Sequence, residues 1–246
     1  MQILYDNKAD TATLSRSTEN SSYPVENIAD PRVSRVFRTV NASGQYIKLS
    51  TRITASRVAI AGHNLTSGCT IKLQGNDTDS WATPALDETL THADGIIIGK
   101  FAEATYNYWR LYVDCTDGSI SYVQIGRLYL GTFLQLPDMA MDQVITDDTT
   151  STVDISAGGQ VYGDEGYVYR NPTVNFPAIS DAERADIRAM WAVVQNVKPV
   201  FVSVWANRED KESPMYAILN QTAIEFKRTD YPLYPFSTTL KFREVF

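Results

Sequence analysis

Histidine is nearly absent from this chain: His63 and His92 are the only two in 246 residues. Neither lies beside a serine or cysteine in a recognisable nucleophile motif, so the usual acid–base machinery of a hydrolase has no residues to draw on. Cysteine is as scarce, with Cys69 and Cys115 alone, and without ligand-spaced histidines two thiols cannot build a zinc site. A phosphate-cradling loop is missing too, because Gly158-Gly159-Gln160 precedes a strand and lacks both the lysine and the following helix. Basic residues are outnumbered, 22 against 29 acidic, giving a net charge of -7. That balance excludes non-specific nucleic-acid binding, which needs a cationic surface. No apolar run approaches the roughly 20 residues of a membrane span. The opening Met1-Gln2-Ile3-Leu4-Tyr5-Asp6 lacks a secretory signal's basic start and long apolar stretch, which predicts synthesis in the cytoplasm and no membrane insertion. Without such a signal the Asn64-Leu65-Thr66 acceptor pattern carries no weight. The chain reads as non-enzymatic, with no cofactor and no metal.

What is present is patterned for β structure. Hydrophobic residues make up 43% of the chain and charged ones 21%, an ordinary globular balance. Residues 1–40 are polar and turn-rich and read as an extended arm that lies along the domain or along a neighbouring subunit. From Gln45 onward alternation takes over: Gln45 to Leu49, Ala55 to Ala61, Thr70 to Gly75, Ile96 to Phe101, Tyr108 to Asp114 and Ser121 to Leu130. Short period-two strands separated by polar turns predict a jelly-roll β-sandwich over residues 41–137. Cys69 and Cys115 stand at the ends of two of these strands; buried thiols are the expectation and a disulfide the alternative.

Residues 138–246 read as a second, β-rich module, so the chain as a whole is mainly β. Asp138 to Ile155, rich in Asp and Thr, is a boundary or else a strand with polar partners. One helix is expected near 180–196, opened by a Ser180/Glu183 capping box and striped by Ile187, Met190, Trp191 and Val194. Lys198-Pro199 stops it. Val200 to Trp205, Met215 to Asn220 and Thr238 to Val245 are further strands.

Candidate contacts follow from the aromatics. Trp81, with Tyr106 and Tyr108, is a candidate platform for a sugar ring, since amphipathic rings stack on one face and keep a wet edge. Trp109 and Trp191 fall on apolar stripes and read as core. Asn76-Asp77-Thr78-Asp79-Ser80 offers alternating oxygens to a calcium ion, but it lacks the bidentate glutamate and reads as a turn. Tyr231, Tyr234 and Phe236, in the proline-broken run Tyr231 to Phe236, are candidate subunit contacts.

Two resemblances rest on these residues. Gln45 to Leu49, Arg57 to Leu65, Ile71 to Asp77 and Tyr108 to Leu111 resemble the discoidin-type, galactose-binding jelly roll over about residues 35–131; the family's sugar-binding motif is not matched. The opening Asn20 to Asn27, the Gly62-His63-Asn64-Leu65 turn, the Ile125 to Gly131 close, Ser156 to Tyr162 and the terminal Phe242 to Phe246 resemble tail-tip or baseplate proteins of long-tailed bacteriophages. The module after residue 140 looks like the ring-forming belt of distal tail proteins, although many of those carry the ring module first. This resemblance implies a virion protein at the distal end of a phage tail, forming a trimeric or hexameric ring. Its implied partners are itself, other tail proteins (tube, hub, fibre) and a host surface glycan. The alternative is a carbohydrate-binding module that recognises a cell-surface glycan.

Overall fold

The computed structural model describes residues 1–137, 143–205, 213–229 and 235–246. The chain divides into two compact units: 1–135 with 200–216 and 246, and 136–199 with 217–245. Both are mainly β.

The first unit contains β1 (Gln2–Leu4), β2 (Leu14–Arg16), β3 (Phe37–Arg38), β4 (Gln45–Leu49), β5 (Ile53–Ala61), β6 (Thr70–Asn76) and β7 (Leu86–Thr89). It continues through β8 (Ile97–Tyr106), β9 (Tyr108–Asp114), β10 (Gln124–Ile125), β11 (Arg127–Gly131) and β12 (Leu134–Gln135). A five-stranded antiparallel sheet, in the order β2-β4-β9-β6-β7, covers a three-stranded one in the order β11-β5-β8. Alternation decides what lies between them. Ile47, Leu49, Ile71, Leu73, Trp109, Leu111 and Val113 point in from the first sheet; Val58, Ile60, Ile97, Phe101, Leu128 and Leu130 point in from the second. Period-two placement is what lets each strand bury one row and wet the other.

Trp109 is the centre of that core. It is fully buried, and its indole N–H donates to the Ile53 carbonyl at 3.1 Å, so its one polar atom is satisfied. Phe101 and Tyr106 pack on it with ring centroids 5.8 and 5.4 Å away. Gly75, across the sheet from Trp109, makes room: a Cβ there would lie 2.4 Å from the Tyr106 ring.

Two expectations are corrected here. Residues 1–40 are not an extended arm but part of the first unit, because most of their apolar side chains are used: Ile3, Leu4, Val25, Ile28 and Phe37 are buried, although Val40 is exposed. β1 pairs with β12 and with β17 (Val200–Ser203), and β3 pairs with β10. Asn7 accepts from the Leu130 N–H and donates to the Leu128 carbonyl, while buried Arg127 donates to the Ile28 carbonyl and to Asp10. The abundant Ser and Thr of this segment form turns over the core rather than a solvated tail. Second, Cys69 and Cys115 are joined as a disulfide, 46 residues apart in sequence, and are not free thiols.

The second unit contains β13 (Val144–Thr149), β14 (Thr152–Ile155), β15 (Val161–Asp164), β16 (Val168–Ile179) and α1 (Asp181–Val194). After β17, which belongs to the first unit, come β18 (Met215–Leu219), β19 (Phe226–Arg228) and β20 (Phe236–Glu244). β20 pairs antiparallel with β18, β16 and β19, and β13 extends β16. The stretch before Ile155 is therefore paired strand from Val144 to Thr149, not a linker. α1 begins as its sequence dictates: the Glu183 N–H donates to Ser180 Oγ at 3.2 Å, and the Ser180 N–H donates to the Glu183 carboxylate at 2.7 Å. The helix stops at Val194 through Gln195, whose φ of 51° is left-handed, ahead of Lys198-Pro199. Ile187, Met190 and Val194 are buried, whereas Trp191, expected in the core, is only half-buried at the edge of the stripe.

Candidate functional site

The outer face of the five-stranded sheet carries the most concentrated chemistry in the first unit. Residues opposite one another in antiparallel strands share a face, so register alone assembles the site. Lys48 lies opposite Arg110, Arg110 opposite Gln74, and Gln74 opposite Asp87, a row across β4, β9, β6 and β7. The next row is Tyr46, Tyr112, Lys72 and Thr89. Tyr108, opposite Asn76, continues the face on β9. All face out because Ile47, Leu49, Leu73, Trp109 and Leu111, their neighbours in sequence, face in.

Trp81 joins this face from the turn after β6. The Asn76 side chain donates to the Ser80 carbonyl at 2.7 Å and closes the turn, so the Asn76–Ser80 oxygens serve a chain reversal. Trp81 Nε1 then donates to Asp79 Oδ1 at 2.9 Å, and Asp79 Oδ2 accepts from Lys48 Nζ at 2.6 Å. These two donors hold the Asp79 carboxyl below its ordinary range, Lys48 contributing most. Lys72 Nζ does the same for Asp87 at 2.9 Å, with Gln74 Nε2 donating to its other oxygen at 3.0 Å.

Arg110 is the hub. Its guanidinium carbon lies 4.5 Å from the Trp81 ring centroid, 5.3 Å from Tyr112 and 5.8 Å from Tyr46, distances at which a cation is attracted to the ring face. Its Nε and Nη2 both donate to Gln74 Oε1, at 2.8 and 2.5 Å. Burial among these groups pushes its pKa down from the usual arginine value. Planar aromatic surface, a forked donor and carboxylates held ionised lie together on one accessible face. That set suits a polyhydroxylated ring: C–H faces stack on aromatics, while hydroxyls bond to arginine, amide and carboxylate.

The other expected contacts fall elsewhere. Tyr106 packs into the core against Trp109 and is not part of the platform. Tyr231 and Tyr234 lie outside the described residues. Phe236 begins β20, half-buried, with the Arg184 guanidinium 4.0 Å over its ring, so one face is covered within its own unit. His63 and His92 meet edge-on at 6.0 Å; His63 Nδ1 accepts from the Leu65 N–H, and burial pushes its pKa down. Among the described residues no three His, Cys, Asp or Glu side chains are grouped to hold a metal ion, and no helix is long and apolar enough to cross a membrane.

No protein-family model and no curated protein matches this chain. Solved structures do. Chitosan-binding module 1 of a chitosanase/glucanase from Paenibacillus sp. IK-5 is 20% identical, with a TM-score of 0.40 over 51% of this chain and 98% of that one. The family 32 carbohydrate-binding module of Clostridium perfringens NanJ, in complex with galactose, is 12% identical, with a TM-score of 0.41 over 53% and 98%. The fucose-binding module SpX-3 of Streptococcus pneumoniae is 8% identical, with a TM-score of 0.42 over 52% and 99%. At such values function has to be argued from this chain's own residues.

Proposed function

We propose that this chain binds a glycan on the outer face of its five-stranded sheet. One observation carries the reading: three half-buried aromatic rings, Trp81, Tyr46 and Tyr112, gather around Arg110 on the outer, otherwise polar face of the sheet. Trp81 supplies the stacking surface, Arg110 the directional donor, steadied by the buried Gln74 amide, and Asp79 and Asp87 the acceptors. Packing alone does not call for this arrangement, because the core lies on the other side of the sheet. A glycan array probed with the full chain tests it. Retention of a defined set of saccharides, lost in Trp81→Ala, is the expected result; no retention by the native chain contradicts the reading. The Cys69–Cys115 bond favours an oxidising working environment, since such bonds are reduced in the cytosol. A thiol titration of the native protein that finds two free cysteines would remove that support.

A second reading, assembly of several copies, is favoured by the β14–β15 hairpin. Register puts Val153, Ile155, Val161 and Gly163 on one face and Thr152, Asp154, Tyr162 and Asp164 on the other. The first face is wholly apolar yet open to solvent, with Val153 67%, Ile155 71% and Val161 66% exposed. A two-stranded ribbon is marginal alone and an apolar sheet face needs a cover. The cover we assign is a second copy: the hairpin is acidic at Asp154, Asp164 and Glu165, whereas the far end of β16 borders a groove of about 730 Å³ lined by Lys227 and Lys241 besides Glu225. With donor and acceptor toward opposite ends of one strand, contacts run head to tail, the arrangement that closes into rings. Light scattering should show an oligomer that Val153→Asp/Ile155→Asp dissociates; a native monomer at all concentrations refutes it. Neither the geometry nor the comparisons point to a phage tail, and the reading is carried no further than self-assembly.

A further inference from the structure

We propose that the saccharide held on this face is anionic, with its carboxylate or sulfate bound to Arg110; the inference rests on the glycan-binding reading above. The face carries three cations, Lys48, Lys72 and Arg110. The two lysines are each matched by an acid, Lys48 by Asp79 at 2.6 Å and Lys72 by Asp87 at 2.9 Å. Arg110 has no carboxylate within ion-pair distance among the described residues. Its partners are a neutral amide oxygen and three aromatic rings. The next acid along β9, Asp114, is engaged at the sheet's end by the Gly44 N–H and Ser43 Oγ.

This leaves one positive charge with no carboxylate bonded to it, felt only through space by Asp87 and Asp79, on a chain whose net charge is -7. Charges taken partly out of water are normally paired, and the rings that dry Arg110 give it no counter-charge. A guanidinium has five N–H donors. Two are used by Gln74 Oε1, which leaves three, including both on Nη1, for an incoming oxyanion. Arginine's fork matches a carboxylate or sulfate in two parallel bonds, stronger and more directional than bonds to a hydroxyl. Trp81, over the same guanidinium, is placed to stack the sugar ring that bears the acid. Asp79 and Asp87 do not oppose this, because each is already neutralised by its lysine.

Matched sugars separate charge from shape. The full chain is titrated calorimetrically with galacturonate, glucuronate and sialyl oligosaccharides, each beside its neutral methyl ester, and with a sulfated disaccharide beside its unsulfated form. The expected result is tighter binding of at least one acid than of its ester, by about tenfold to a hundredfold, the worth of hydrogen bonds to a charged group. That preference should shrink as salt is raised, and Arg110→Gln should lower the acid to the affinity of the ester. A carboxylate preference and a sulfate preference identify which anion is read, and either supports the proposal. Equal binding of every acid and its neutral partner overturns the proposal and leaves the glycan reading standing. If no member of any pair is bound and the glycan array is also blank, both fall. The comparison of acid with ester uses the native chain, so it holds even if Arg110→Gln fails to fold.

Discussion

The Cys69–Cys115 bond offers the sharpest test of the sandwich. The bond spans 46 residues of chain, and that segment includes the whole of β6, β7, β8 and β9. Closing such a loop in the unfolded chain removes entropy that folding would otherwise have to overcome. The chain-entropy relation puts the effect at about 4 kcal/mol at 25 °C. For a chain of this size that corresponds to a fall in Tm of roughly 8–16 °C when the bond is absent. Cys115 is buried in the core cluster, so alanine is the right replacement, whereas serine would bury an unpartnered hydroxyl. Urea unfolding of the Cys69→Ala/Cys115→Ala protein, followed by the fluorescence of Trp81 and Trp109 in the same unit, measures the loss. Native protein unfolded in the presence of a thiol reductant should show nearly the same midpoint. A loss below about 1 kcal/mol would refute the loop-closure reasoning, and a reductant without effect would refute the bond itself.

Two other outcomes follow from the same unit. Trp109→Ala should cost about 3–5 kcal/mol through the cavity it leaves among Phe101, Tyr106 and the facing sheet, read in urea unfolding. Trp109→Phe should cost less, and a loss above that of Trp109→Ala would contradict the packing described. Tyr216 is buried, donates to the Pro31 carbonyl at 2.9 Å, and burial raises its pKa to about 12, partly offset by Arg127. A phenol with a raised pKa keeps its proton longer when folded, so its contribution is complete below about pH 10, the unfolded value. It is lost as pH climbs toward 12. The urea midpoint should therefore fall across that alkaline window, and less steeply in Tyr216→Phe; an identical slope would contradict the assignment.

Much of the fold was legible because alternation is local. The β4, β6 and β9 runs announce which side chains face inward, and Ser180 with Glu183 announces the start of α1. What was missed depends on partners distant in sequence. The apolar residues of 1–40 are too sparse to form a periodic pattern, and the buried Ile3, Leu4 and Phe37 lie in strands whose partners are 86 to 201 residues away, as β3 pairs with β10 and β1 with β17. Thiol and disulfide look alike in sequence; pairing required the register that sets Thr70 opposite Asp114, one residue beyond each cysteine's own position. Trp191 shows the limit of a helical stripe, since a residue at its margin can be half-exposed.

The candidate site was visible only at Trp81 and Tyr108. Tyr46, Gln74, Arg110 and Tyr112 look like ordinary outward positions of separate strands, and only cross-strand register makes them one surface. The β14–β15 hairpin was hidden for a related reason. Its valines and isoleucine suggest a buried strand, and the pairing of Ile155 with Val161 is what places them together on an open face.

The central claim is that Trp81 and Arg110 form a working saccharide surface on the five-stranded sheet. The most direct test is affinity electrophoresis or calorimetry of the full chain against glycans retained on an array, with Trp81→Ala measured in parallel. Trp81 sits on the surface and outside the core, so the variant should unfold within about 1 kcal/mol of the native protein. The account predicts binding by the native chain and at least a tenfold loss in Trp81→Ala with the fold intact, about the effect of removing a stacked aromatic. Undiminished binding by the variant would contradict the placement of the site.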